Sequence, residues 1–204
     1  MTPIPGQLAV ICGPNGAGKT TLLKRMAGLA PGGTPRPRQI AYLPQGARAE
    51  WGLRVEEVVA LGRLPHHDRD PAAIAAAITA TGIAPLLGRR IDQLSGGEQR
   101  RVMLARVLAT NATILLLDEP TNDLDPPAAH VIMLLLQTQA RAGSAVVLVL
   151  HAIDLALRYA DRLLVMQNSA IIADGAPLAV LPAAAQAFGM DHGIDPHPRL
   201  LAPP

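Results

Sequence analysis

The chain has 204 residues, half of them hydrophobic and only 2% aromatic, with a formal net charge of +2. That length suits one domain, or a core domain with a small insertion, and the apolar content excludes a disordered chain. Basic residues are scattered, the longest clusters being pairs such as Arg89–Arg90 and Arg100–Arg101, which excludes the concentrated basic face of a nucleic-acid binder. The aromatics are Tyr42, Trp51, Tyr159 and Phe188, so the core must be aliphatic. The single cysteine, Cys12, rules out an internal disulfide, fits a reducing compartment, and reads as a buried core thiol within LAVIC. No apolar stretch approaches the roughly 18–20 residues that span a bilayer. MTPIPGQ has neither the charged nor the apolar region of a secretory signal. The chain is expected in the cytosol, with any membrane role reached through a partner.

In chain order, residues 8–12 (LAVIC) read as a short strand. Residues 13–20, GPNGAGKT, fit the phosphate-loop pattern G-x-x-x-x-G-K-[ST], and TTLLKRMAGLA then reads as a helix closing near Gly32–Gly33. In that setting Gly13, Gly16 and Gly18 let the backbone curl so that its amides point at phosphates, and the helix beginning near Lys19 adds its positive end. Lys19 is expected on the β- and γ-phosphates and the Thr20 hydroxyl on Mg²⁺. PGGTPRPR is turn and linker, because Pro35 and Pro37 exclude regular helix. Residues 39–43 (QIAYL) form another short strand. From about 46 to 111 the texture is helical, in RVEEVVALGR and PAAIAAAITATGI, and reads as an insertion.

Strand texture returns in TILLLD (113–118), AVVLVL (145–150), RLLVMQ (162–167) and AIIAD (170–174). The continuous apolar runs predict strands buried on both faces of a mostly parallel sheet. PPAAHVIMLLLQTQARAG is a helix with prolines at its start and Gly143 at its end, and IDLALRYA (153–160) is another. Strands alternating with helices predict an α/β fold, a three-layer core with a helical subdomain. Residues after about 182 are Ala- and Pro-rich and carry no readable element.

Two further motifs carry chemistry. ILLLDEP (114–120) places Asp118 and Glu119 at the carboxyl edge of the sheet, where ligands of such sheets bind. Asp118 suits Mg²⁺, and Glu119 suits a general base for an attacking water. LSGGEQRR (94–101) contains Ser95-Gly96-Gly97-Glu98, a capping box opening the helix EQRRVMLARVLA. The cap explains Ser95 and Glu98 but not two adjacent glycines, each costing a helix about 1 kcal/mol relative to Ala. Bare amides at a positive helix end suit an anion. Since this chain's phosphates already have a loop, the helix is expected to face another molecule's nucleotide.

On GPNGAGKT, LSGGEQ and ILLLDEP together, the sequence resembles the ATP-binding subunit of ABC transporters, from about residue 6 to about 181. The resemblance implies a P-loop ATPase with ATP and Mg²⁺, its nucleotide held by Gly13, Pro14, Asn15, Gly16, Ala17, Gly18, Lys19, Thr20 and Thr21. It implies that Gln45 is the glutamine that senses Mg²⁺, with Thr20 and Asp118 as further metal ligands. His151 would be the switch histidine on the γ-phosphate, acting with Glu119 and Lys19 in catalysis. Ser95, Gly96, Gly97, Glu98 and Asp125 would reach the nucleotide of an opposing copy in a head-to-tail dimer. It also implies one domain: a nucleotide-binding core (1–45 and 112–181), a helical subdomain (46–111) and a tail (182–204). Partners would be integral permease subunits at the cytoplasmic face of a bacterial inner membrane and, indirectly, a periplasmic substrate-binding protein, with no nucleic acid.

WGLRVEEVVALGRLPHH (51–67) and LHAIDLALRYADRLLVMQNSAIIADGAP (150–177) resemble the importers of iron–siderophore, haem and cobalamin type. The alternatives are an ABC ATPase of another transporter, a soluble ABC ATPase, or a binding module that does not hydrolyse. His66–His67–Asp68 reads as a solvated loop against a metal site, since adjacent histidines are poor geometry for one ion; His192 and His197 read the same way. Two features depart from the family. No aromatic precedes Tyr42, so the N-terminal antiparallel β-segment and its adenine-stacking residue are reduced. Lys19 and Gln45 are also unusually close, with PGGTPRPR in place of a β-hairpin.

Overall fold

The structure is a computed structural model that describes residues 2–47, 52–122 and 124–189. Trp51, His192 and His197 lie outside the described residues. Six strands, β1 Leu8–Cys12, β2 Ile40–Leu43, β3 Ile114–Asp118, β4 Ala145–Val149, β5 Arg162–Gln167 and β6 Ala170–Gly175, form one sheet in the order β2-β3-β4-β1-β5-β6. All neighbours are parallel except β5 and β6. That last pair is a hairpin whose two turn residues, Asn168 and Ser169, both have positive φ, the turn that matches strand twist.

The apolar runs behave as their lack of alternation predicts. Leu8, Val10 and Cys12 of β1 face one hydrophobic cluster while Ala9 and Ile11 face another. The described residues form seven α-helices: α1 Lys19–Met26, α2 Val55–Ala60, α3 Pro71–Thr81, α4 Gly96–Leu108, α5 Pro126–Arg141, α6 Ile153–Tyr159 and α7 Pro177–Ala187, of which α2 and α3 pack mainly on α4 and the others on the sheet. The smaller cluster lies under α1, through Ala17, Leu23 and Ala27. The larger takes Val58, Ala77, Leu104, Leu136, Ala156 and Val180 from the other six helices. The expected α/β architecture with a mostly parallel sheet is borne out. Cys12 is fully buried, and burial pushes its thiol up to about 11.

Three local readings change. The helix α1 stops at Met26, well short of Gly32–Gly33. Gly28 has φ +72°, the Leu29 N–H donates to the Lys24 carbonyl at 2.8 Å, and the Gly28 N–H donates to Arg25 at 3.1 Å. This is a left-handed glycine cap that satisfies the last carbonyls. Second, α7 continues through the Ala- and Pro-rich stretch to Ala187, with Pro177 in its first turn, Pro182 inside it, and Val180, Leu181 and Ala184 buried. Third, the loop at His66–Asp68 is solvated at His67 and Asp68 as expected, but it is also anchored to the fold. The buried Arg63 guanidinium forks onto Asp68 with two 2.8 Å bonds and donates to the Ala109 carbonyl at 3.0 Å, while His66 Nε2 meets the Thr110 carbonyl at 2.8 Å. The Arg63 hydrogen bonds hold the Asp68 carboxyl down at about 2. His67 is exposed.

Candidate active site

Strand order does most of the assembly. Because β2, β3, β4 and β1 are consecutive neighbours, the segments leaving their carboxyl ends emerge side by side. Those segments carry Gln45 after β2, Asp118 and Glu119 at β3, His151 after β4, and the glycine loop after β1. They enclose a cavity of about 540 Å³ lined by residues 15–21, Gln45, Glu119, Asn122 and His151. Tyr42, the first aromatic of the chain, packs in the cluster under α1, and among the described residues no Phe, Tyr or Trp lines the cavity.

The phosphate loop is already curled. Lys19 Nζ donates to the Gly13 carbonyl at 2.8 Å and to Pro14 at 2.9 Å, bracing the loop from within. Gly18 caps α1 at φ +89° without any side-chain hydrogen bond, so the amides of the first turn have no partner from their own helix. Lys19 is 7% exposed. Burial pushes its ammonium below the ordinary value, against the opposing pull of Glu119 and Asp118.

Glu119 is the centre of the site. It is buried, and its φ of +53° places it in the left-handed region, a conformation costing an L-residue about 1–2 kcal/mol. Three side chains converge on its carboxylate. Gln45 Nε2 donates to Oε2 at 2.9 Å, Asn122 Nδ2 donates to the same oxygen, and His151 Nε2 lies 2.6 Å from Oε1. Since a carboxylate only accepts, that last contact calls for the Nε2–H form of the imidazole. Asn122 is the cavity neighbour that the motifs do not point to. Its only signal in the sequence is an amide three residues after Glu119, on one tight turn.

Asp118 lies beneath, fully buried, and neither of its carboxylate oxygens accepts a hydrogen bond of full geometry. Burial raises its carboxyl above the usual range, and the Thr20 hydroxyl and Lys19 pull it back. An orphaned buried carboxylate beside a hydroxyl fits a hard cation with oxygen ligands. Thr20 and Gln45 supply further oxygens on the cavity wall.

The remaining predicted site residues stand apart from this cavity. Ser95, Gly96, Gly97, Glu98 and Asp125 do not line it. Ser95 Oγ accepts from the Glu98 N–H at 3.3 Å while Glu98 Oε2 accepts from the Ser95 N–H at 2.8 Å, the reciprocal cap that the spacing predicts. A methyl group on Gly96 would meet open space, whereas one on Gly97 would sit 3.2 Å from Leu124 Cδ2. Asp125 caps α5, accepting from the Ala128 N–H at 2.8 Å. Among the described residues no group of three His, Cys, Asp or Glu could hold a metal, and no helix is long and apolar enough to cross a membrane.

A braced glycine loop facing two buried carboxylates at the carboxyl edge of a parallel sheet defines a P-loop nucleotide hydrolase. The ABC transporter family profile matches residues 1–122. A hemin import ATP-binding protein of Pseudomonas fluorescens strain Pf-5 is 41% identical over 221 aligned residues, covering 96% of this chain and 87% of that protein. A protein of the same name from Streptomyces coelicolor is 40% identical, covering 95% and 78%. The first alignment is longer than this chain, so the relative has insertions that this chain lacks. Among solved structures, a metal-chelate type ABC transporter in an inward-facing conformation superimposes with a TM-score of 0.79 at 25% identity, covering 91% of this chain and 78% of the other. A nucleotide-free ATP-binding cassette gives 0.80 at 22% identity over 95% of this chain and 90% of that one, a likeness of fold. The chain belongs to the ABC transporter family, as its ATP-binding, ATP-hydrolysing subunit.

Proposed function

We propose that this chain energises an importer of haem or a closely related cargo, an iron–siderophore complex or a cobalamin-type compound. The cargo reading is supported by relatives at about 40% identity named for hemin import. Hydrolysis is carried by one observation: Glu119 faces the loop cavity, its carboxylate held by donors from three segments.

In this reading the triphosphate lies along residues 13–21, with Lys19 and the first-turn amides of α1 countering its charge. Thr20, Gln45 and Asp118 would hold Mg²⁺, which would neutralise phosphate charge. Glu119 accepts a proton as water oxygen bonds to the γ-phosphorus and the bond to the β–γ bridging oxygen breaks. His151 holds the γ-phosphate. Ser95, Gly96 and Gly97 act on the nucleotide of a second copy, arranged head to tail, with Glu98 fixing the cap and Asp125 the adjoining loop. The division into a core (1–45 and 112–181), a helical subdomain (46–111) and a tail (182–204) belongs to the same proposal. So do the membrane permease on the Gln45 side, the substrate-binding protein beyond it, and the position at the cytoplasmic face of the inner membrane.

The test is growth on haem as sole iron source. A host whose own copy carries Lys19→Ala should fail on haem and grow on ferrous salt. Undiminished growth on haem would overturn the cargo assignment.

A further inference from the structure

We infer that Asn122 is a positioning residue for Glu119, holding one carboxylate oxygen while the other takes the proton of the attacking water. The inference rests on the reading of Glu119 as the general base. Two of the three donors on Glu119 come from other strands: Gln45 beyond β2 and His151 beyond β4. Both have separate work at the nucleotide in the function proposed above. Asn122 alone shares a turn with Glu119. Its backbone N–H donates to the Glu119 carbonyl at 3.3 Å, and its side-chain amide donates to Oε2.

These two bonds close a ring around a residue at φ +53°. They hold Glu119 in a conformation that needs such support to persist. Chain connectivity fixes a contact within one turn, so it survives movement of neighbouring elements. When Gln45 and His151 engage the metal and the γ-phosphate, Asn122 is the donor that remains among the described residues. Oε2 stays anchored, and Oε1, from which His151 withdraws, is open to the water. Asn122 makes and breaks no covalent bond; it fixes the direction of the base, on which proton transfer depends.

The experiment is a double-mutant cycle on the full-length chain, read as Mg-ATP turnover. Asn122→Leu removes the donor, and Asn122→Asp keeps the side-chain shape while reversing its role; each is made alone and with Glu119→Gln. Each single variant should lower kcat about 10- to 100-fold and leave KM for ATP within about twofold. In the Glu119→Gln background the residual rate should change by less than about twofold, because the group being positioned is gone. Equal losses in both backgrounds would assign Asn122 a structural part and overturn the inference. So would parental turnover in Asn122→Leu with Glu119→Gln inactive, which leaves the base reading standing. Parental turnover in Glu119→Gln removes both together.

Discussion

The helices α1 and α4 both open on glycine-rich turns, yet they meet the same problem of bare first-turn amides differently. The α1 cap is Gly18, with no side chain on the amides, and the positive end looks into a cavity of its own chain. The α4 cap is Ser95, which exchanges hydrogen bonds with Glu98, and Gly96 next to it opens on empty space outside that cavity. In the proposed function, one helix end is completed by a ligand bound to the same molecule, and the other, already capped by its own side chains, offers its glycine face to a second copy. A helix that caps itself needs no glycine for stability, and in the proposed function Gly96 serves what docks there.

The largest test of this contrast is on the α1 side. Lys19→Ala removes both the loop brace and the phosphate counter-charge, and turnover should fall at least about 100-fold in a phosphate-release assay. On the α4 side, stability and activity should move apart. Gly96→Ala fits the open space and should raise stability by about 0.5 kcal/mol while strongly lowering turnover. Ser95→Ala loses the cap and should cost about 1 kcal/mol, read as a thermal midpoint lower by about 2–4 °C. If Gly96→Ala leaves turnover intact, the two helix ends are not a matched pair.

The smallest effect lies away from both ends, at Asp68. Its folded value of about 2 lies below the ordinary 3.8, so the Arg63 pair contributes stability above about pH 4 and loses it as pH falls through about 2. Asp68→Asn should be slightly less stable than the parent at neutral pH, and acid thermal melts of the two should converge near pH 2.

Elements whose sequence pattern reflects local physics were legible. The strands β1 to β5 show as apolar runs, α4 shows through its cap, and α5 shows through the prolines and Gly143 that bound it. What the pattern misjudged depends on contacts distant in sequence or on one residue's backbone. The end of α1 was set by Gly28, against which Thr34 packs closely, although the apolar pattern ran on. The helix α7 carries Pro182 in its interior and gains its burial from the sheet edge, which no local signal reports. At the site, Lys19, Thr20, Gln45, Glu119 and His151 were all readable, and strand order brought them to one cavity. Asn122 was not, because its value lies in the left-handed turn at Glu119 that only the folded backbone displays. The solvated reading of His66–His67–Asp68 holds for His67 and Asp68, which are exposed, whereas the bonds of His66 to Thr110 and of Asp68 to the buried Arg63 give no signal in the sequence.

In the function proposed above, the nucleotide site is completed by the α4 end of a second copy. Sedimentation of the Glu119→Gln chain with and without saturating Mg-ATP tests it most directly. The Glu119→Gln chain should sediment as a monomer that becomes a dimer with ATP, and a chain also carrying Gly96→Ala should bind ATP but stay monomeric. A Glu119→Gln chain that binds ATP and remains a monomer would contradict it.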